Sequence, residues 1–379
     1  MKVELHIIQS FAPACLNRDD TNAVKDCEFG LHRRVRVSSQ CIKRSVRTSP
    51  VFKDRVGEHT AVRTKLLTEL LSERLIEAGK DEQQVGQVVP LFVGQYVGLD
   101  ADGKTKVLLY LGMDEIQRIA DGLLAEWDNL LEAAVKALDS ENGKSAAEKA
   151  SKVFGKKAKE IQAAAMGATK AVDIALFGRM IAEASDHNVD AACQVAHAIS
   201  THRANMEIDF YTAVDDISKE SGAGMMGTTE FASACFYRYS LVDVDQLIKN
   251  LMGDRDLASR AVEAYLLASI LAIPTGKQTS TAPQSPPSFV MVVVRESGFP
   301  QSLVNAFEKP VYPGQNRGVV QQSILRLDEY WGRSAKMYGT DGIKLLAHCT
   351  LEDVALNNLH GSATESIWEL VDQVREALA

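Results

Sequence analysis

The sequence predicts an α+β fold, in which strands and helices are mixed without a regular β-α-β alternation. Residues 2–10 alternate apolar and polar side chains, a pattern that is typical of a strand. Residues 289–295 (FVMVVVR) form an almost continuous apolar run, which predicts a buried strand. Residues 113–138 and 145–165 have the length and the apolar spacing of helices.

Length and composition limit the class of protein. The 379 residues leave room for two or three domains of about 150 residues each. Apolar residues make up 46% and charged residues 24%, which excludes a disordered or fibrous chain. The apolar runs are shorter than the roughly 20 residues that span a bilayer, so no membrane is expected among the partners. No secretory signal is recognised and the six cysteines are dispersed, which predicts a cytoplasmic protein with reduced thiols.

The N-terminal elements follow from local patterns. After the first strand, residues 11–33 are polar and read as a loop, and a second, short strand ends at Ser38 and Ser39. Either serine can accept the hydrogen bond that begins a helix through residues 41–49. The pattern breaks at residues 50–57. The sequence therefore predicts a strand, a helix start and a loop close together near the N-terminus.

The middle of the chain has weaker signals. A helix is expected from residue 60 to about residue 78. After Pro90, residues 91–99 and 106–111 look like strands that are joined by an Asp-rich turn. Beyond the two long helices, residues 171–177 look like a strand and residues 190–200 like a helix.

The C-terminal half contains a long hairpin. Residues 208–214 and 230–242 read as two strands, separated by a Gly-rich tip. A helical pair follows at residues 243–273, and then a Pro/Ser/Thr loop at residues 274–288. The remaining segments are expected to be a helix, a short apolar run and a C-terminal helix, at residues 321–332, at 344–348 and at the end of the chain.

Charge is concentrated in two places, although the net charge is −8. Residues 29–48 contain six basic side chains and no acid, which indicates either a local site for a polyanion or a solvated basic face. The predicted helix at residues 145–165 places four lysines on one side, with a fifth lysine beside them. The four are Lys149, Lys152, Lys156 and Lys159, and the fifth is Lys157.

Several motif matches are rejected on structural grounds. Residues 98–105 match a phosphate-binding loop, but two aspartates lie where phosphate must bind, and a strand-like segment follows. Residues 222–227 match a dinucleotide fingerprint, but no strand precedes them. Cys193 and His197 lie four residues apart on a predicted helix, too few ligands for a metal. No catalytic motif, metal site or cofactor is expected, and the chain is predicted not to be an enzyme.

Several long segments have an unusual composition. The first is CLNRDDTNAVKDCEFG at residues 15–30, followed by RRVRVSSQCIKR at residues 33–44. The others are VDIALFGRM (172–180), AHAISTH (196–202), IDFYTAVDD (208–216), GTTEFASACFYRY (227–239) and VNAFEK (304–309). Together, and in this order, these segments resemble the CasC-type backbone subunit (RAMP superfamily) of type I-E CRISPR Cascade complexes.

This resemblance implies a hand-shaped subunit. A ferredoxin-like (RNA-recognition-motif-like) palm would comprise residues 1–57 and 196–379, and a mostly helical fingers insertion residues 58–195. A β-hairpin thumb would occupy residues 203–232 within the palm. Copies would stack head to tail along the CRISPR guide RNA and hold it in segments for pairing with target double-stranded DNA, in antiviral defence. The implied partners are the guide, the target DNA, neighbouring copies, and the large, small, 5′-handle and guide-processing subunits.

The resemblance also assigns residues to the guide. Contacts near the N-terminus and in the thumb would be sequence-tolerant, and Met180 would lie as a wedge beside a displaced base. Independently of the resemblance, the one-sided lysines together with Lys157 indicate either a face that holds duplex DNA without reading its sequence or a solvated lysine face. The implied guide-binding residues are Arg18, Lys25, Ser38, Gln40, Lys43, Arg44, Arg47, Met180, Phe210, Tyr211, Thr212 and Val214.

Two alternatives and one departure remain open. Related type III backbone subunits cleave target RNA with a metal-dependent aspartate, for which Asp19, Asp20 or Asp26 would be the candidates. A general single-strand RNA-binding protein without assembly partners is a third possibility. After Phe29 and Gly30, Leu31 occupies the position at which the family often has a second glycine. A leucine side chain there would hinder a close approach of the backbone to RNA.

Overall fold

A computed structural model describes residues 1–138, 144–166, 169–181, 187–214, 217 and 225–379. It confirms the α+β prediction, with a large antiparallel sheet that is consistent with an RNA-recognition-motif-like topology. The chain divides into two compact units. The first unit comprises Met1–Arg55, Cys193–Asp245 and Ser259–Ala379, and the second Val56–Ala192 and Gln246–Ala258.

The strands of the described residues form one large sheet and one small ribbon. They are β1 (Lys2–Ala14), β2 (Asp26–Phe29), β3 (His32–Val37), β4 (Ala61–Thr64), β5 (Leu109–Gly112), β6 (Cys193–Val195), β7 (Ala198–Ser200), β8 (Glu207–Ala213), β9 (Met225–Asp243), β10 (Phe289–Arg295) and β11 (Ile343–Thr350).

The large sheet belongs to the first unit and has the order β11-β10-β1-β9-β7-β3-β2. Strands β6 and β8 also pair with β9. The central strands pair antiparallel along most of their length, so that Ile8 lies opposite Phe289 on one side and Tyr237 on the other. All seven residues of β10 are buried, which confirms the buried strand predicted from its apolar run.

Helices make up most of the rest of the described chain. They are α1 (Ser39–Thr48), α2 (Pro50–Val56), α3 (Leu67–Glu77), α4 (Glu82–Val97), α5 (Met113–Ala125), α6 (Trp127–Leu138), α7 (Lys144–Met166), α8 (Val172–Phe177), α9 (Val244–Asn250), α10 (Arg255–Leu271), α11 (Gln278–Thr281), α12 (Val319–Tyr338) and α13 (Ile367–Leu378), with a short 3₁₀-helix at Val304–Phe307.

Each unit has its own apolar core. In the first unit, Phe307 and Leu327 pack beneath the sheet against Ile8 and Phe289. In the second unit, helices α3 to α7 surround a core that includes Leu71, and the ribbon β4–β5 completes it. Among the described residues, no helix has both the length and the apolar character required to cross a membrane.

Four short segments differ from the sequence predictions. Residues 91–97 lie in α4, because Pro90 is inside this helix rather than at its end. Residues 172–177 form α8, and residues 193–195 and 198–200 form strands instead of a helix. Short apolar runs are compatible with either structure, and here tertiary packing decided between them.

Smaller differences concern segments that were expected to be irregular. Strand β2 lies within the predicted loop of residues 11–33, and α2 occupies the predicted break at residues 50–57. The helix expected from residue 60 begins only at Leu67, because β4 precedes it and pairs with β5. The Asp-rich turn is present, closed by the bridge between Leu99 and Thr105.

Candidate nucleic-acid interface

The start of α1 is tied to the loop that precedes β2. The Ser38 hydroxyl accepts a hydrogen bond from the Cys41 amide at 3.3 Å, so Ser38 is the N-cap residue of the two serines considered. The Ser38 amide donates to the Asn17 side-chain oxygen at 2.9 Å. Ser38 is buried, and its hydroxyl therefore acts within the protein as a helix cap.

This loop is ordered by its own side chains. One Asp19 carboxylate oxygen accepts hydrogen bonds from the amide and hydroxyl of Thr21 and from the Ala23 amide, at 2.8 to 3.0 Å. These bonds, the one from the Thr21 hydroxyl first, lower the pKa of Asp19. Arg18 is exposed and donates to Asn22, and the Lys25 amide donates to the Asn17 carbonyl. The arrangement holds Arg18 and half-buried Lys25 at the two ends of a compact loop.

The loop and α1 enclose a polar cleft of about 400 Å³ in the first unit. Arg18 and Asp19 line it from the loop, and Arg44 and Thr48 line it from the helix. Arg44 and exposed Gln40 are separated by one helical turn and therefore share a face, whereas half-buried Lys43 and Arg47 share the neighbouring one. The fold thus brings Arg18 and Arg44, which are distant in sequence, to one cavity.

The six basic residues between Phe29 and Thr48 do not act alike. Arg34 is completely buried and donates to the carbonyls of Ser200, Thr201, Phe307 and Glu308, at 2.8 to 3.0 Å. Arg34 therefore holds the scaffold together and is not exposed to a ligand. The sequence pattern could not identify this role, because the four acceptors come from distant segments.

Two further arginines of this group contact the protein itself. Arg33 forms an ion pair with Asp26. Arg36 donates to the Asp26 carbonyl and contacts Nδ1 of His197 at 3.2 Å. Residues 29–48 contain no acid, but in the structure Asp26 of β2 contacts two of their arginines. Only the helical part of this segment, in α1, lines the cleft.

His197 supports the N-terminus of α1 and is not on a helix. Its Nδ1 accepts from the Ser39 amide at 3.3 Å and from Arg36, so Nδ1 carries no proton. Burial, followed by the charges of Arg36 and Lys25, lowers the pKa of His197. Within the described part of the chain, no group of three or more metal-ligating side chains exists.

The β8–β9 hairpin separates the predicted thumb residues between two faces. Phe210 lies opposite Thr228 and Tyr211 opposite Gly227, and successive strand residues point to opposite sides. Phe210 and Thr212 thus share one face, on which Phe210 is 61% exposed. Val214 follows β8 directly and is also exposed, while residues 215–216 and 218–224 lie outside the described chain.

The opposite face of the hairpin borders a second cleft. Tyr211 covers Gly227 so closely that a Cβ at this glycine would come within 2.5 Å of the phenol. Tyr211, Phe231 and Lys277 line a cavity of about 550 Å³ in the first unit. An aromatic ring and a lysine at one cavity can provide stacking and phosphate contacts. The sequence does not single out Lys277, since this lysine lies in a polar segment without a distinguishing pattern.

Met180 lies in the second unit and is 84% exposed. Its neighbours Arg179 and Ile181 are each only 5% exposed. An apolar side chain is therefore presented to solvent from a segment that is otherwise anchored. This is the arrangement that a wedge residue requires.

The predicted lysine face of α7 is present. Lys152, Lys156 and Lys159 are exposed, on the side opposite buried Phe154 and Ala158. The side chain of Lys149 lies outside the described residues. Lys157 forms an ion pair with Glu126 and points to a different side of α7 than the other three.

A family model described as CT1975-like protein matches residues 3–373, nearly the whole chain. The chain belongs to the CT1975-like protein family. It is also similar to a chain of a solved structure titled "CRISPR RNA-guided surveillance complex, pre-nicking", with 30% identity, a TM-score of 0.84 and full coverage of both chains. A second chain, from a structure titled "CRISPR RNA-guided surveillance complex", has 27% identity, a TM-score of 0.74 and the same coverage.

These similarities confirm the resemblance of this CT1975-like protein to a Cascade backbone subunit. No curated protein matches the chain. The structural likeness covers both units.

One feature of this CT1975-like protein is strained. Gly30 and Leu31 form the two-residue turn between β2 and β3, and both have positive φ, +60° and +62°. Such a turn favours glycine or asparagine, yet leucine occupies its second position. The Leu31 side chain is 89% exposed. The backbone at Leu31 does adopt the conformation that a second glycine would favour. Its side chain projects into solvent.

Proposed function

We propose that this CT1975-like protein is the guide-RNA-binding backbone subunit of a type I-E Cascade antiviral complex. The proposal depends on the polar cleft where Arg18 and Arg44 converge beside the capped start of α1. The similarity to chains of two CRISPR RNA-guided surveillance complexes supports it.

The chemistry of the cleft suits a phosphate backbone. Guanidinium groups bind phosphate through charge-assisted, often paired hydrogen bonds, without reading the base. Asp19 also lines the cleft, but three donors of its own loop already bind one of its oxygens. The guanidinium groups of Arg18, which also donates to Asn22, and of Arg44 would bind a polyanion whose sequence varies.

The hairpin and Met180 would divide the guide into segments. In the proposed assembly, copies stack head to tail, and the exposed Phe210 face of one copy covers the guide held by its neighbour. Met180 would lie beside a displaced base. Such a heterologous contact does not close on itself, and identical subunits therefore build a helical filament.

The lysine face of α7 would serve the target. Lys152, Lys156 and Lys159 lie along one side of the helix, and repetition in a filament would form a positive track for target double-stranded DNA. Base pairing with the guide would supply the sequence specificity. The other proposed partners are the large, small, 5′-handle and guide-processing subunits of Cascade.

We propose a binding role rather than ribonuclease activity. Of the candidate aspartates, Asp19 orders its own loop and Asp26 forms an ion pair with Arg33. Asp20 is exposed and lies in the same loop. Nothing in these contacts favours a metal-dependent cleavage of target RNA.

The test is co-expression with a guide and the sister subunits, followed by size-exclusion chromatography and measurement of RNA content. The double variant Arg18→Ala/Arg44→Ala should lose guide-loaded assembly, while the free chain keeps its melting temperature. Arg33→Ala is the matched control, since it removes a basic side chain of the same region that is engaged with Asp26.

The outcomes separate the three functions. Normal guide content in the double variant would contradict the proposal. Binding of RNA by the wild-type chain without assembly would favour a general single-strand binder, and cleavage of guide-paired RNA with added Mg²⁺ would favour the type III alternative. Residual binding should also depend less on salt, by ~0.7 in logarithmic slope per lost phosphate contact.

A further inference from the structure

Arg179, directly before Met180, is buried and fully engaged. Its Nη1 donates to the Glu115 carboxylate at 2.6 Å and to the Tyr110 carbonyl at 3.3 Å. Its Nη2 and Nε donate to the His187 carbonyl at 3.0 and 3.1 Å. One side chain therefore connects the segment before Met180 with β5, with α5 and with the residues that follow.

Glu115 is held through one of its two carboxylate oxygens. The carboxylate oxygen that binds Arg179 also accepts the Gly112 amide at 2.8 Å, in the capping box at the start of α5. Glu115 is completely buried. The ion pair is thus attached to a helix terminus that cannot move without breaking its own cap.

The backbone around Met180 is held from both sides. Arg179 and Val189 exchange two backbone hydrogen bonds, at 3.0 and 2.9 Å. The Ile181 amide donates to the Asn188 side chain at 2.6 Å, and Ile181 is buried. Met180 is the exposed residue between these two anchored ones.

Stability alone does not explain a buried ion pair of this kind. Removing two charges from water is costly, and well-packed apolar side chains are often neutral or stabilising replacements. A planar guanidinium instead fixes geometry, because its nitrogens must satisfy three different acceptors at once, the Glu115 carboxylate and the carbonyls of Tyr110 and His187. This fixed geometry occurs at Arg179, the residue directly before the exposed Met180, and that position needs an explanation.

We propose that Arg179, through its ion pair with Glu115, is a positioning residue that holds the Met180 side chain in the orientation needed to displace a guide base. This inference rests on the proposed function, since it assumes that Met180 acts on the guide. It adds that the precision of the displacement depends on a buried pair that does not itself touch RNA.

The experiment uses guide-loaded complexes in which 2-aminopurine replaces successive guide bases, because a displaced 2-aminopurine fluoresces more strongly than a stacked one. The variants are Arg179→Lys, which keeps the charge but loses the planar fork, and Met180→Ala. Leu71→Ala is the matched control for general destabilisation, since Leu71 is buried in the core of the same unit.

At the positions where 2-aminopurine is bright in the wild type, we expect the fluorescence of Arg179→Lys to fall to the level of Met180→Ala. The double variant Arg179→Lys/Met180→Ala should show no further decrease in fluorescence. Leu71→Ala, compared at an equal distance below its melting temperature, should keep the wild-type pattern. If Arg179→Lys keeps this pattern while Met180→Ala loses it, the inference is wrong and the proposed function stands. Equal dimming in Leu71→Ala would also refute it.

A second variant covers the case in which Arg179→Lys does not fold. Glu115→Gln keeps an oxygen that can accept from Gly112 but removes the negative charge, and should cause a partial loss of the signal. Full retention in Glu115→Gln would contradict the inference. A wild-type complex with no bright position would overturn both the inference and the proposed displacement of bases.

Discussion

Phe210 and Tyr211 are adjacent in the sequence but lie on opposite faces of the β8–β9 hairpin. Phe210 is 61% exposed and Tyr211 41% exposed, and Tyr211 also packs over Gly227 and borders the 550 Å³ cleft. The two aromatic residues therefore have different surroundings, and only Tyr211 contacts the partner strand of the hairpin at Gly227.

Phe210→Ala should reduce assembly on the guide without changing the stability of the free chain. Replacement of an exposed side chain normally alters the free energy of unfolding by less than about 0.5 kcal/mol. Tyr211→Ala should instead alter the hairpin itself, detected as faster amide hydrogen exchange in β8. The measurements are filament length by size-exclusion chromatography and denaturant unfolding. A Phe210→Ala chain that assembles to wild-type length would contradict the assignment.

The lysine face of α7 should bind duplex DNA in a salt-dependent way. Changing Lys152, Lys156 and Lys159 to Ala should weaken the binding of matched and unmatched duplexes alike. The logarithmic salt slope should fall by up to ~0.9 per lost phosphate contact. Lys157→Ala is the control, since this lysine is paired with Glu126. An unchanged slope in the triple variant would show that these lysines only face solvent.

Arg34→Met should destabilise the first unit strongly, although the sequence groups Arg34 with ligand-binding arginines. The substitution removes the Arg34 donor from the carbonyls of Ser200, Phe307 and Glu308, whereas the Thr201 carbonyl keeps the Val311 amide; a buried carbonyl left without a donor costs about 1–3 kcal/mol. Arg33→Ala should cost no more than about 1 kcal/mol, as expected for an exposed ion pair. Denaturant unfolding of the free chain distinguishes the two. Equal losses would mean that Arg34 is not the structural residue inferred here.

Leu31→Asn should stabilise the protein. Leucine in the left-handed region costs roughly 1 kcal/mol, and asparagine tolerates this conformation better. Gly30→Ala should do the opposite, because a Cβ at Gly30 would lie 2.0 Å from the Glu308 carbonyl oxygen. Thermal unfolding measures both changes. A lower melting temperature in Leu31→Asn would indicate that the leucine side chain makes a stabilising contact.

The buried His6 should make stability depend on pH. The Tyr237 hydroxyl accepts from the Leu303 amide at 2.9 Å and is hydrogen-bonded to Nδ1 of His6, also at 2.9 Å. Burial first, and then the charge of Arg295, lowers the pKa of His6 to about 3.

Since unfolded histidine has a pKa of about 6.5, only the unfolded chain binds this proton between about pH 6.5 and 3. The His6 contribution to the free energy of unfolding is therefore present above pH 6.5 and is lost by ~1.4 kcal/mol per pH unit below it. Between about pH 6.5 and 3, His6→Asn should reduce the slope of the free energy of unfolding against pH by the amount that corresponds to the uptake of one proton on unfolding. Identical slopes for the two proteins would contradict the assignment.

Long or strongly patterned segments could be predicted from the sequence. Strand β1, the hairpin β8–β9 and the helix α7 have enough patterned residues for their period to be recognised, whereas β10 was predicted from its continuous, Val-rich apolar run. The serine cap of α1 was also predictable, because capping is a local interaction. The same holds for the lysine spacing on α7, which the helical period converts directly into a face.

Only the tertiary structure decided what short segments and single charges do. Residues 172–177 are compatible with a strand or a helix, and packing in the second unit selects the helix. Among the basic residues of the N-terminal region, Arg34 is buried because four carbonyls from β7 and from the end of the 3₁₀-helix converge on it, whereas Arg44 reaches a cleft. Sequence spacing determines neighbours along one element, but such convergence depends on segments that are more than 150 residues apart in the chain, as with Arg34 and Ser200.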